Sequence, residues 1–124
     1  MNKIDGRYDI TKDVLFAGAQ AFDVGAVAAV QTPWWNRTLC TVNDSVVRLA
    51  VIEGEFHWHR HDEEDEFFYV VEGRLGLDIE GGESVELTPA QAYVVPRGVV
   101  HRTRAEGRTV ILMVEQASVV PTGD

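Results

Sequence analysis

After Pro33 the apolar positions alternate with a period of two, and turn-forming residues interrupt the alternation at short, regular intervals. This pattern predicts strands over 37–42, 46–53, 55–61, 66–72, 74–79, 84–87, 92–95, 101–104 and 108–115, with turns at Asn43-Asp44 and Gly81-Gly82. Many short strands at such spacing make an all-β sandwich or barrel. Some of these strands are apolar on both faces. In 46–53, Val47, Leu49 and Val51 share one face, while Val46, Ala50 and Ile52 share the other with Arg48. In 66–72, Phe67, Tyr69 and Val71 oppose Phe68 and Val70. A barrel with a wet exterior needs only one apolar face per strand, so something must cover the outer one. The amino-terminal segment and a second subunit are the two candidates.

The first 36 residues follow a different pattern. Residues 11–22 predict a short helix with Thr11 as its N-cap, although Gly18 interrupts it and no clean 3.6-residue period runs through it. No internal repeat, low-complexity stretch or linker divides the chain. The expected organisation is one domain over 1–124, with an arm at 1–36, a barrel core at 37–116 and a tail at 117–124.

Length agrees, because 124 residues bury roughly two-thirds of their unfolded surface, enough for one core. The net charge of -9 argues against nucleic acid and anionic membrane as partners, since phosphate contacts need a basic surface. The apolar stretch 14–30 is broken by Gly18, Gln20, Asp23 and Gly25 and is too short to span a bilayer. The scattered charges of Lys3, Asp5, Arg7, Asp9, Lys12 and Asp13 differ from a signal peptide's basic start and apolar core. The single cysteine, Cys40, expected at a buried strand position, forms no intrachain disulfide. A cytoplasmic location is the expectation.

Candidate chemistry concentrates in the histidines. His57, His59 and His61 fall within five residues, and His101 closes the run Pro96-Arg97-Gly98-Val99-Val100-His101. On a strand, residues two apart project from one face with Cα atoms about 6.6 to 7 Å apart, so His59 and His61 are able to converge on one ion. Glu66 opens the next strand on the face of Phe68 and Val70. Three imidazoles and a carboxylate suit a mononuclear metal site. The bland alternative is a half-exposed pair of histidines followed by a solvated acidic loop, Asp62 to Glu66.

These residues also resemble a known family. His59-x-His61, four residues, Glu66, six residues and Gly73 are similar to the first cupin motif, and Pro96-x-Gly98-x-x-His101 is similar to the second. The resemblance covers residues 46–115. Three flanking positions depart from the pattern: Glu53 stands where a glycine is expected, Ala90 replaces the glycine that opens the second motif, and Ala105 replaces its final asparagine. No ligand position departs. The resemblance implies a double-stranded β-helix, or jelly-roll barrel, with His59, His61, Glu66 and His101 holding one divalent Mn, Fe, Ni, Cu or Zn ion. It also implies a homodimer, because small cupins commonly pair through their sheets.

Four protein donors on an ion that takes six leave two positions open, and a divalent ion there keeps a residual charge of about +1. The implied function is a metalloenzyme acting on a small organic or sugar-like anion, of dioxygenase, isomerase or decarboxylase type. The alternative is a non-catalytic, metal-dependent module that binds or senses a small ligand. Pocket candidates are His57, on the face of His59 and His61, together with Arg48, Phe68 and Tyr93. Arg48 reads either as an inward clamp for an anion or as a side chain reaching the rim. His57 is either a cavity contact or a structural, hydrogen-bonded histidine. Trp34 and Trp35 read as a lid over the mouth or as an anchor for the arm. Trp58 should point away from the ligand face.

Overall fold

The computed structural model of the chain describes residues 8–124, together with the backbone of strand β1 at Asn2–Ile4. After β1 come β2 (Tyr8–Val14), helix α1 (Val24–Ala29), β3 (Trp35–Val42) and β4 (Ser45–Glu55). Then follow β5 (Glu66–Glu72), β6 (Leu75–Ile79), β7 (Val85–Leu87), β8 (Ala92–Val95) and β9 (His101–Gln116). Hydrogen-bonded neighbours run in the order β1-β2-β3-β4-β9-β5-β8, and β6 joins β9 to β7. The fold is the all-β double-stranded β-helix.

Strand β9 shows how the barrel closes. Its first residues pair with β6, from Ile79↔His101 to Gly76↔Arg104, and later ones lie between β4 and β5, as in Ala50↔Ile111 and Val70↔Ile111. One strand of 16 residues therefore passes from one wall to the other. The two segments expected at 101–104 and 108–115 are this one strand. At the β5–β6 turn, Gly73 has φ 89°, and a Cβ there would stand 2.6 Å from Thr109 Oγ1, so a side chain fits neither the backbone nor the space.

The two apolar faces have different partners. Inward residues of β4, β5 and β9, including Ala50, Ile52, Phe68, Val70, Ile111 and Met113, pack with Leu75, Leu77, Leu87 and Val95 in the barrel interior. Outward residues Leu49, Val51 and Val110 pack with Trp35 and Leu39 under Ala28 of α1 and the stacked rings of Phe16 and Phe22, whose centroids are 4.4 Å apart. The arm is thus one cover of the outer face. Beyond it, Phe67 lies between Val94 and Val114, which are 49% and 38% exposed.

Two expected elements differ. The helix expected at 11–22 is not there: Thr11 to Val14 finish β2, which pairs parallel with β3, and the helix forms later at Val24–Ala29. The N-cap is Asp23, whose Oδ1 accepts the Ala26 N–H at 2.8 Å and so satisfies a helix donor that otherwise lacks a partner. β-branched Thr11 and Val14 favour extended backbone, and pairing with β3 secures it. The strand expected at 55–61 is also absent. β4 runs on to Glu55 and the chain then leaves the ladder, so His59 keeps only an isolated bridge to His101.

Candidate metal centre

The segment from Phe56 to His61 is held by single backbone contacts in place of a strand ladder. Phe56 N–H donates to Thr103 O at 3.0 Å, His59 and His101 exchange N–H···O bonds of 2.9 and 2.8 Å, and Gly98 N–H donates to His61 O at 2.8 Å. These bonds stitch the histidine loop to the start of β9 and the turn before it. One ligand atom each from His59, His61, Glu66 and His101 then lies within 4.8 Å of the others, a group able to hold a metal ion. The parity of a regular strand does not bring them together; the bridge to His101 does.

Donor chemistry fits a cation. His59 Nδ1 meets His57 O at 3.1 Å and His101 Nδ1 meets Val99 O at 2.9 Å, so a neutral ring carries its proton there and keeps the Nε2 lone pair for the centre. His61 Nε2 and His101 Nε2 stand 3.4 and 3.5 Å from Glu66 Oε1. All three atoms are buried without a hydrogen-bond partner. Buried polar atoms are rarely left so, and a cation among them would satisfy all three.

Electrostatics push these groups apart. Burial and the neighbouring His101 lower the His59 pKa to about 4. Burial alone would lower that of His61, but the Glu66 carboxylate outweighs it and the net shift is upward. Burial likewise opposes ionisation of Glu66, yet its contacts with His101, His61 and Glu115 hold it below the usual carboxylate range. Without metal, the unfolded chain protonates His59 near 6.5 and the folded chain only near 4, so this residue destabilises the fold as pH falls between them. His61, with its raised value, contributes stability in acid that is lost as pH rises.

A metal competes with protons for the same lone pairs. His61 takes a proton more readily than an ordinary imidazole, and His59 takes one only near 4. Metal affinity is therefore expected to fall by about tenfold per pH unit below about pH 6.5. Metal titrations at fixed ionic strength from about pH 8 to 5 check this, and a flat profile would contradict it.

Beside this group is a cavity of about 30 Å³, room for one or two waters. Its apolar side includes Trp34, Phe68 and Pro121, and its polar side Arg48, Asn36 and Glu115. Arg48 is 2% exposed and lies inside the barrel, away from the rim. It donates to Thr38 Oγ1 at 2.7 Å, to Thr11 O at 2.9 Å and to Asn36 Oδ1, while its Nε has no partner. Burial lowers its pKa, and the charges of Glu115 and Glu66 oppose that. Burial and the charge of Glu66 raise Glu115 well above the usual carboxylate range.

Two pocket candidates do not line this cavity. His57 Nε2–H donates to Thr122 O at 2.7 Å and its ring lies 4.1 Å from that of Phe56. Tyr93 pairs with Phe68 across β8 and β5, and its ring packs into the barrel core. The tryptophans divide their roles. Trp35 anchors the outer core, whereas Trp34 walls the cavity and donates from Nε1 to Glu53 O at 2.6 Å. Trp58 is 46% exposed, with the Arg102 guanidinium 4.9 Å from its ring centroid. Glu115 and Asn36 escaped the sequence reading. The signal for Glu115 was its parity, since it shares the inward face of Ile111 and Met113.

The family model for the cupin domain matches residues 45–115. The chain is a cupin. Its curated relatives include the uncharacterised protein YdbB of Bacillus subtilis, 46% identical over 80 residues, which cover 64% of this cupin and 71% of that protein. A solved cupin-2 domain protein from Shewanella frigidimarina superposes with a TM-score of 0.72 at 30% identity, covering 77% of this cupin and 93% of that chain. Hydroquinone 1,2-dioxygenase from a Sphingomonas species, solved with 4-hydroxybenzoate bound, superposes with a TM-score of 0.65 at 18% identity, over 76% and 72% of the two chains. That last likeness is one of fold. No helix among the described residues is long and apolar enough to cross a membrane.

Proposed function

We propose that this cupin holds one divalent transition metal through His59, His61, Glu66 and His101 and is a metalloenzyme acting on a small organic anion. The buried, unpartnered His61 Nε2, Glu66 Oε1 and His101 Nε2 carry the metal half of this reading. A bound Mn, Fe, Ni, Cu or Zn ion would supply Lewis acidity, or oxygen activation in the case of iron. Arg48 supports the anion half: it lines the cavity and its buried Nε–H has no partner, a donor suited to a carboxylate or phenolate. Trp34 and Phe68 offer apolar walls to the carbon skeleton. Dioxygenase, isomerase and decarboxylase chemistry all fit this donor set.

The cavity's size favours a second reading. With only about 30 Å³, the barrel as it stands suits a non-catalytic, metal-dependent binding or sensing module, unless a wall moves to admit a larger anion. Elemental analysis of protein purified without added metal, followed by oxygen-uptake assays with small aromatic and sugar-like acids, separates the two. About one metal per chain is expected, and uptake with iron selects a dioxygenase. Failure to retain any of the five metals after exposure to them would sink the metal reading.

The half-exposed row of Val94, Phe67 and Val114 supports a homodimer joined through the outer sheet. A monomer in sedimentation at micromolar concentration would remove that assignment. The lone Cys40 fits a reducing compartment, and we place the activity in the cytoplasm; immunolocalisation to the cell exterior would contradict it.

A further inference from the structure

After β9, residues 117–124 run back beside the histidine loop. Ala117 N–H donates to Asp44 O and Lys12 Nζ donates to Ala117 O, fixing the start of this strap, and Val119 is 1% exposed. Pro121 then walls the cavity and Thr122 O accepts from His57. Gly123, at φ 96°, lies so close to His59 that an added Cβ would stand 2.5 Å from the His59 Cβ. Asp124 N–H donates to Arg60 O at 2.9 Å, and Asp62 N–H donates to Asp124 Oδ2 at 2.6 Å. The strap is docked on the segment that carries His59 and His61.

His61 is 2% exposed, and neither of its ring nitrogens has a hydrogen-bond partner. A neutral imidazole has one lone pair and one N–H. If Nε2, beside Glu66, gives its lone pair to a cation, Nδ1 carries the proton and needs an acceptor. His59 and His101 use backbone carbonyls for this purpose. A ring nitrogen of His61 also lies within 4.8 Å of carboxylate oxygens of Glu64 and Asp124. Glu64 is 8% exposed, its Oε2 accepts from Ser118 at 2.7 Å, and its Oε1 is buried with no partner. His61 Nδ1 and Glu64 Oε1 are thus both buried without a partner, on side chains whose ligating atoms come within 4.8 Å of each other.

We propose that Glu64 and Asp124 are positioning residues that take the Nδ1–H of His61, so that metal loading and docking of the 117–124 strap reinforce each other. The proposal rests on the reading of His59, His61, Glu66 and His101 as the metal-holding group. Ser118 and Asp124 both belong to the strap, one bonded to Glu64 and the other beside His61. Undocking would remove Asp124, release Glu64 and withdraw Pro121 from the cavity wall in one motion. The same motion enlarges a cavity otherwise too small for an organic anion.

The test uses cobalt(II) with the full chain, Glu64→Gln and Asp124→Asn. Each substitution keeps size and removes charge. Wild type is expected to bind one cobalt per chain, and each variant to bind one with about 10- to 100-fold weaker affinity and an altered visible cobalt spectrum. In wild type, cobalt should slow hydrogen exchange of the Gly123 and Asp124 amides, which donate to Val120 O and Arg60 O. Unchanged affinity in both variants, or strap exchange that ignores cobalt, overturns the proposal. So does binding of two cobalt ions in wild type that falls to one in Asp124→Asn, which would make His61, Glu64 and Asp124 a second cation site. Loss of cobalt in His59→Ala alongside unchanged Glu64 and Asp124 variants would leave the metal reading standing and only the coupling refuted. No cobalt in wild type would defeat both.

Discussion

Glu66→Gln is expected to reduce metal content from about one ion per chain to less than about a tenth. The substitution preserves shape and removes one charge. Glu66 is 6% exposed and its Oε1 stands between His61 Nε2 and His101 Nε2. It is the only group in the set able to neutralise part of a divalent ion's charge, and three neutral imidazoles with an amide would leave a buried charge of about +2. The amide NH₂ would also turn a donor where a cation is to sit. The affinity loss should exceed the roughly 10- to 100-fold typical of outer hydrogen-bond partners.

Thermal unfolding reads the same event independently. A ligand at about a hundred times its Kd stabilises by about 2.7 kcal/mol, which in a chain of this size raises Tm by about 10 °C. Wild type should show that shift on adding metal and Glu66→Gln should show none. Glu63→Gln, exposed in the same loop, should behave as wild type. Equal metal content and equal Tm shifts in Glu66→Gln and wild type would refute the four-residue assignment.

The sequence carried these four residues because their types and spacing do not depend on the details of the loop between them. It missed how they meet. The alternation from Glu55 to His61 reads as a strand, but the chain leaves the ladder at Phe56, and tertiary contacts to His101, Gly98, Thr103 and the 117–124 strap hold the segment. Period-two patterning recovered the barrel strands, where burial on both faces enforces it. It failed in the arm, where the residues of β2 gain their pairing from β3, some twenty residues away, and propensity gave no sign of that partner. Glu64 was hidden for a related reason. Inside the run Asp62 to Glu66 it looks solvated, yet it is buried and bonded to Ser118 of the strap, some fifty residues away.

Arg48→Met should destabilise the metal-free protein by about 3 to 5 kcal/mol, the cost of leaving several buried acceptors without their donor. Methionine keeps most of the stem's volume, so little of this comes from a cavity. The register of β2 on β3 shifts between Ile10 and Val14, which leaves the Thr11 carbonyl outside the ladder, and Arg48 supplies its donor. The same guanidinium bonds Asn36 Oδ1 and Thr38 Oγ1 on β3. It therefore pins the arm to the barrel across an irregularity that strand pairing alone cannot close. Removing it orphans buried acceptors at about 1 to 3 kcal/mol each, and withdraws a positive charge that interacts with Glu66 and Glu115. Tm should fall by about 10 to 20 °C. Arg48→Lys should recover part of the loss, since a single ammonium restores the charge but cannot span three acceptors. Thermal melts of the three proteins, followed by far-UV circular dichroism after chelation, check this, and a drop below about 1 kcal/mol in Arg48→Met would mean that the buried guanidinium does not secure the arm.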